Sequence, residues 1–219
     1  MRGMFDCSGD PACTTKQFME YSIIAEAKRR LELWRTGKDK CAIHTNLRLA
    51  IFGLNVANGG RSEYETVQQE YLHTDSVDGK DICLVAMGRT KEASLVKEYL
   101  DFVFSDAVAV QDIHNGAAAL AANVWGRYLM WEYLKAHWDM VASQLATNTI
   151  VIERFLGLAL PKFADYEVAK DIASFFGDKD QRGYDRALVI VLDSIRTNAR
   201  YRERDEKRTL EWLASHGYV

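Results

Sequence analysis

The feature that most constrains this chain is its near lack of proline. Only Pro11 and Pro161 occur among 219 residues. Proline removes a backbone donor and its ring clashes with the preceding helical turn, so it interrupts helices. From Ala12 to Leu160 there is none, and that stretch is free to be helical nearly throughout. An all-α fold is expected. Hydrophobic residues make up 48% and charged residues 27% of the chain, proportions that bury a core rather than leave a polymer disordered.

Charge and hydropathy narrow the partners. Lys and Arg number 28 against 31 Asp and Glu, a net charge of −3. That removes the cationic excess on which phosphate contacts depend, so no nucleic-acid partner is expected. The longest apolar runs, Ala117–Ala122 and Ala187–Leu192, fall far short of the roughly 18 residues of a membrane span. Met1 to Asp6 has no apolar signal core. A cytoplasmic protein without a membrane partner is the expectation, its four cysteines free in a reducing compartment.

The pattern of apolar residues divides the chain into an irregular leader over 1–15 and a single helical domain over 16–219. Phe18, Met19, Ile23, Ala27, Leu31 and Trp34 form the first stripe, with Gly37 as its stop. A second helix carries Leu47 to Leu54 and ends at Asn58-Gly59-Gly60, where glycine suits a left-handed cap. Ser62 and Glu65 have the spacing of a capping box ahead of Tyr64, Val67, Tyr71 and Leu72. Further helices are read at Asp78–Gly88, Lys91–Phe104, Gln111–Ala122, Gly126–Trp138, Asn148–Leu160, Asp165–Phe176, Tyr184–Tyr201 and Asp205–Ser215. The alanines of Gln111–Ala122 point to close helix approach. About eleven helices joined by short turns exceed a four-helix bundle. They favour an irregular α-solenoid of antiparallel helix pairs, a HEAT/armadillo-like superhelix.

Catalytic motifs are scarce. The five histidines are followed by Thr45, Thr74, Asn115, Trp138 and Gly217, so H-E-x-x-H does not occur. Cys7 and Cys13 are too widely spaced for a C-x-x-C pair, Cys41 and Cys83 stand alone, and no glycine-rich phosphate loop is present. Lys28-Arg29-Arg30, flanked by Glu26 and Glu32, reads as a solvated helix face, and Glu203 to Lys207 as an i,i+4 pair. One cation is more informative. Ile150 to Leu160 contains only Glu153 and Arg154 as charges, so the helix reads as buried on most sides. There Arg154 either pairs with an internal carboxylate or projects into a cavity, where its planar fork suits a carboxylate ligand.

A series of ordered motifs then carries a resemblance. Gln111-Asp112, Leu120-Ala121-Ala122-Asn123, Gly126-Arg127, Trp131-Glu132-Tyr133-Leu134, Trp138-Asp139 and Glu153-Arg154 form its first part. Lys162-Phe163, Phe175-Phe176, Ile195-Arg196-Thr197-Asn198-Ala199, Arg204-Asp205 and Trp212-Leu213 complete it. Together they resemble the C-terminal helical domain of M1 zinc aminopeptidases. Ala42-Ile43-His44, Leu47-Arg48 and Ser76 to Lys80 look most like the fungal, cytosolic alanine/arginine type. The likeness runs from Phe18 to Val219. Where relatives often have Asn-Pro, this chain has Asn123-Val124. The catalytic and saddle-like domains, with H-E-x-x-H and G-x-M-E-N, are not in this sequence, so zinc is implied for the full-length family and no cofactor for this chain.

The resemblance implies a bowl of paired helices that limits substrate size and contacts peptide, with Arg154, and also Gln111 and Asp112, as substrate-binding residues and no catalytic residue. The implied partners are a peptide substrate and the catalytic domain of a parent enzyme. Self-association is a third expectation, because a first helix without upstream neighbours exposes an apolar face. An independent solenoid scaffold for a protein or peptide is the alternative function, and thiol chemistry a third.

Overall fold

A computed structural model describes residues 11–146 and 149–218, with side chains from Glu20 onward. Among the described residues there are ten α-helices, two 3-10 turns and no strand, so the fold is all-α. None of the described helices is long and apolar enough to cross a membrane. Residues 1–10, and with them most of the expected leader and Cys7, lie outside the described residues. The first helix already exists at Pro11, ahead of Lys16, because a proline in the first helical turn has no hydrogen bond to lose.

The chain packs as two compact units, Met1–Thr90 and Lys91–Val219. The first holds α1 (Pro11–Arg35), α2 (Arg48–Asn58), α3 (Arg61–His73) and α4 (Val77–Met87). Helix α2 packs on the other three, and α3 also lies on α4. Ala27 and Leu31, Ile51 and Phe52, Tyr64, Val67 and Tyr71, and Leu84 and Met87 form the core. Ile23, expected on the buried stripe, is 54% exposed, and Leu72 also faces solvent. Lys28-Arg29-Arg30 is a solvated face as expected. Arg29 and Arg30 both hydrogen-bond Glu26, and those bonds hold its carboxyl down at about 2.

Gly37 takes φ +70 and ends α1 in the left-handed region, which glycine enters without steric cost. Gly59 does not do so; it is extended, at φ −110. Its constraint is space, since a Cβ there would lie 2.6 Å from the Asn55 carbonyl oxygen and 2.6 Å from Glu63 Oε2. The capping contact is also shifted from Ser62 and Glu65. The Gly60 N–H donates to Glu63 Oε2 at 2.9 Å, because α3 starts at Arg61 and Glu63 is then its third residue.

The second unit contains α5 (Ala93–Val103), α6 (Ile113–Ala122), α7 (Arg127–Leu145), α8 (Thr149–Ala159), α9 (Tyr166–Gly177) and α10 (Asp185–Ser215). Helix α8 is central to it, packing on α6, α7 and α10; α10 also lies on α9, and α7 on α5 and α6. The small residues of α6 let it approach α5 closely: a Cβ on Gly116 would stand 2.9 Å from Val103 Cγ2. Helix α7 bends at His137, with φ −122 and ψ 19, and runs on past Trp138 to Leu145. Edge-on ring contacts between Trp138 and Phe176 at 4.8 Å and between Trp131 and Phe175 at 5.3 Å tie α7 to α9. The two C-terminal helices expected from the sequence are one. Tyr201 to Asp205 has no breaker, and Arg202–Glu206 at 3.8 Å and Lys207–Glu211 at 3.9 Å bridge the span, in place of the expected Glu203–Lys207 pair.

Candidate functional site

Helix α8 has two unlike faces. Ile152, Phe155, Leu156 and Ala159 are buried at the i, i+3, i+4, i+7 spacing of one helical face. Ile150, Glu153, Arg154, Gly157 and Leu158 repeat that spacing on the opposite side and are all exposed. The sequence reading of a helix buried on most sides is thereby corrected. The run is apolar all round in composition, yet its neighbours cover one side only and leave Ile150 67% exposed.

Arg154 consequently has no buried carboxylate to serve. Among the described residues neither Glu153 nor Arg154 makes an ion pair, although both are free to extend from the helix. One turn further on, Gly157 has nothing within 4 Å of the position a Cβ would take. Neither a positive φ nor a packing contact accounts for this glycine, and in an exposed helix interior it costs about 1 kcal/mol relative to alanine. A backbone can approach a helix closely where a side chain is missing. The surface thus offers a guanidinium fork for a carboxylate, a neighbouring carboxylate for an N–H or ammonium, a bare strip at Gly157 and apolar contact at Ile150 and Leu158. From Ile150 to Leu158 it runs about 12 Å, the length of three or four residues of extended chain.

Gln111 and Asp112 fall in a 3-10 turn, Val110–Asp112, that leads into α6. Gln111 is exposed and Asp112 partly so. The helix they introduce packs on α8, while Arg154 stands on the face of α8 turned away from its buried residues. Gly157 was not among the sequence candidates. The available signal was a glycine three places after Arg154, in a run whose only charges are Glu153 and Arg154.

The residues present do not fit the zinc that the resemblance associates with the full-length family. Among the described residues no three His, Cys, Asp or Glu side chains gather closely enough to hold a metal ion. The histidines do local work instead. His44 Nδ1 accepts the Asn46 N–H at 3.2 Å, and His73 Nδ1 lies 2.7 Å from the Gln69 carbonyl oxygen. His216 Nδ1 lies 2.8 Å from that of Trp212.

Thiol chemistry finds little support at Cys83. Burial, with the negative field of Glu70 and against the pull of Arg48, pushes its thiol up to about 12, which suppresses the thiolate that reacts. Cys41 is exposed and free. The side chain of Cys13 lies outside the described residues.

The first unit carries a separate open cleft of about 840 Å³, lined among others by Trp34, Arg48, Thr66, Gln69, Glu70 and His73. Arg48 Nη1 stands 3.9 Å from Glu70 Oε1, a long contact. Burial raises the Glu70 carboxyl above its usual range, and the pulls of Arg48 and His73 do not cancel that. The sequence marked Arg48 but not Glu70, because only the packing of α2 and α3 brings residues 22 positions apart together.

These features define an all-helical fold with an exposed, chemically equipped helix face and no metal-ligand cluster among its described residues. The chain belongs to the ERAP1-like C-terminal domain family, which it matches over residues 12–197. It is 30% identical to Aminopeptidase 2 of Candida albicans over 197 residues, 90% of this chain and 21% of that protein. It is 28% identical to the alanine/arginine aminopeptidase of Saccharomyces cerevisiae over 207 residues, 94% of this chain and 24% of the relative. Human aminopeptidase N is 20% identical over 187 residues, 84% of this chain and 19% of its own length. The chain thus spans between a fifth and a quarter of the length of these fungal relatives.

Proposed function

We propose that this chain acts as the non-catalytic C-terminal helical domain of an M1-type aminopeptidase, shaping a substrate chamber and contacting peptide. In this reading 16–219 works as one functional domain with a solenoid-like arrangement of helix pairs. A catalytic domain supplies zinc and bond cleavage, and the protein works in the cytoplasm. The fungal relatives, both aminopeptidases by name, support the reaction class, and the family match across both units supports the domain assignment. The single observation that carries the peptide-contact role is Arg154, exposed and without an ion pair among the described residues, one turn from the bare helix surface at Gly157. Gln111 and Asp112 keep their proposed role on the resemblance alone, since their turn leads into a helix packed on α8 while Arg154 stands on the exposed side of α8.

The test is fluorescence anisotropy with a labelled peptide as free acid and as C-terminal amide. The acid binds more tightly, and Arg154→Ala removes the difference, a loss of about tenfold or more for a charged hydrogen bond. Equal binding of acid and amide by the unaltered chain contradicts the role of Arg154.

The open cleft of the first unit favours the second reading, an independent scaffold that binds a protein or peptide. Charge reversal at Arg48, which lines that cleft, separates the two. Scaffold binding falls with Arg48→Glu and ignores Arg154→Ala; chamber contact behaves the other way.

A further inference from the structure

Helix α10 is packed along only half of its length. Leu188, Val191, Ile195 and Ala199 are its buried residues. From Arg200 to Tyr218 none is buried, and only Asp205 and Leu213 are even partly covered. At 1.5 Å per residue the helix runs on for about 24 Å beyond that stripe. A helix of this length is marginal in water unless packing covers one face.

That distal half has an internal symmetry of charge. Tyr201, Asp205, Arg208 and Trp212 are spaced four, three and four residues apart, which places them on one face. Tyr201 is 62% and Trp212 54% exposed. Read backwards, the face is aromatic, basic, acidic, aromatic. Two copies laid antiparallel about the point between Glu206 and Lys207 therefore set Tyr201 against Trp212 and Asp205 against Arg208, twice over. Along that face each Asp205 stands opposite an Arg208 and no like charge lies directly opposite it.

We propose that the distal half of α10 is a self-complementary surface that pairs with a second copy of this chain across a two-fold axis. A two-fold interface uses the same patch on both partners, and this patch is its own complement. Arg200 to Trp212 carries five basic and four acidic residues, a balance that fits itself better than a strongly charged partner. Arg208 makes no ion pair among the described residues. Asp205 is held by Arg204 at 2.6 Å, which leaves carboxylate lone pairs for an arginine from across the axis. Trp212 stacks on His216 at 4.3 Å and on Tyr218 at 5.9 Å, so the face ends in a ready platform for an incoming tyrosine. The stripe lies beyond the residues 12–197 that match the family.

Sedimentation equilibrium of the full 219-residue chain, loaded up to about 100 µM, tests this, because small interfaces dissociate in the micromolar range. The chain dimerises. Asp205→Arg and Arg208→Asp, which each place like charges across the axis, weaken the dimer at least about tenfold, while the double variant recovers most of it. Circular dichroism confirms that each variant keeps its helix content. A chain monomeric at every loading overturns the proposal and leaves the face to the remainder of a longer polypeptide. A dimer indifferent to the single reversals, or a double variant that does not recover, overturns it equally.

Discussion

Arg154 and Gly157 stand one helical turn apart on the exposed face of α8, and nothing lies within 4 Å of where a Gly157 side chain would begin. Stability and binding therefore respond to this glycine in opposite senses. Gly157→Ala raises stability by about 0.5–1 kcal/mol, since alanine is the better helix former and meets no neighbour. The same methyl group weakens peptide binding by removing the close approach. Thermal melting and anisotropy on one sample check both halves.

Asn55 is buried in α2 and reaches out of its own helix. Its Nδ2 donates to the Ala27 carbonyl of α1 at 3.0 Å and to that of Ile51 at 2.8 Å. Asn55→Ala removes both bonds and leaves a small void, lowering stability by about 1–3 kcal/mol. Urea unfolding shows the loss as a lower midpoint with an unchanged slope.

Gly126 sits in the turn that joins α6 to α7. A Cβ there would lie 2.2 Å from Leu120 Cδ1, a side chain that is itself fully buried. Gly126→Ala therefore costs about 1–3 kcal/mol through overpacking, in contrast to the gain at Gly157. Thermal melts of the two variants move in opposite directions.

Asp171 joins α9 to α7, accepting from Trp131 Nε1 at 2.7 Å and Lys135 Nζ at 3.0 Å. Those bonds, Trp131 first, hold its carboxyl below the usual range. A depressed folded-state value means stability that is present above the unfolded value near 3.9 and lost as pH falls through the folded one. The carboxylate is 48% exposed, so solvent screening keeps the contribution small. Asp171→Asn flattens the fall in melting temperature on acidification, most visibly below about pH 4. Equal acid sensitivity in both proteins contradicts this.

Much of the fold was legible because proline scarcity and 3.6-residue periodicity are local signals. The expected inward residues of α5, Leu95, Val96, Tyr99, Leu100 and Val103, are all buried. Failures arose where a neighbour decides the outcome. Composition alone made α8 look buried on most sides, but which apolar residues are covered depends on α6, α7 and α10. The break expected between Tyr201 and Asp205 is absent from α10, where the stretch holds neither proline nor glycine and its alternating charges support a helix. Arg154 was visible as the one cation of an apolar run. Its exposure, and the open space at Gly157, became visible only in three dimensions.

The most direct measurement is a map of amide chemical shifts on adding a carboxylate-bearing peptide. The largest changes are expected at Glu153–Leu158 of α8. Changes confined to Thr66–His73, in the cleft of the first unit, or no change at saturating peptide, would contradict a peptide-contacting face on α8.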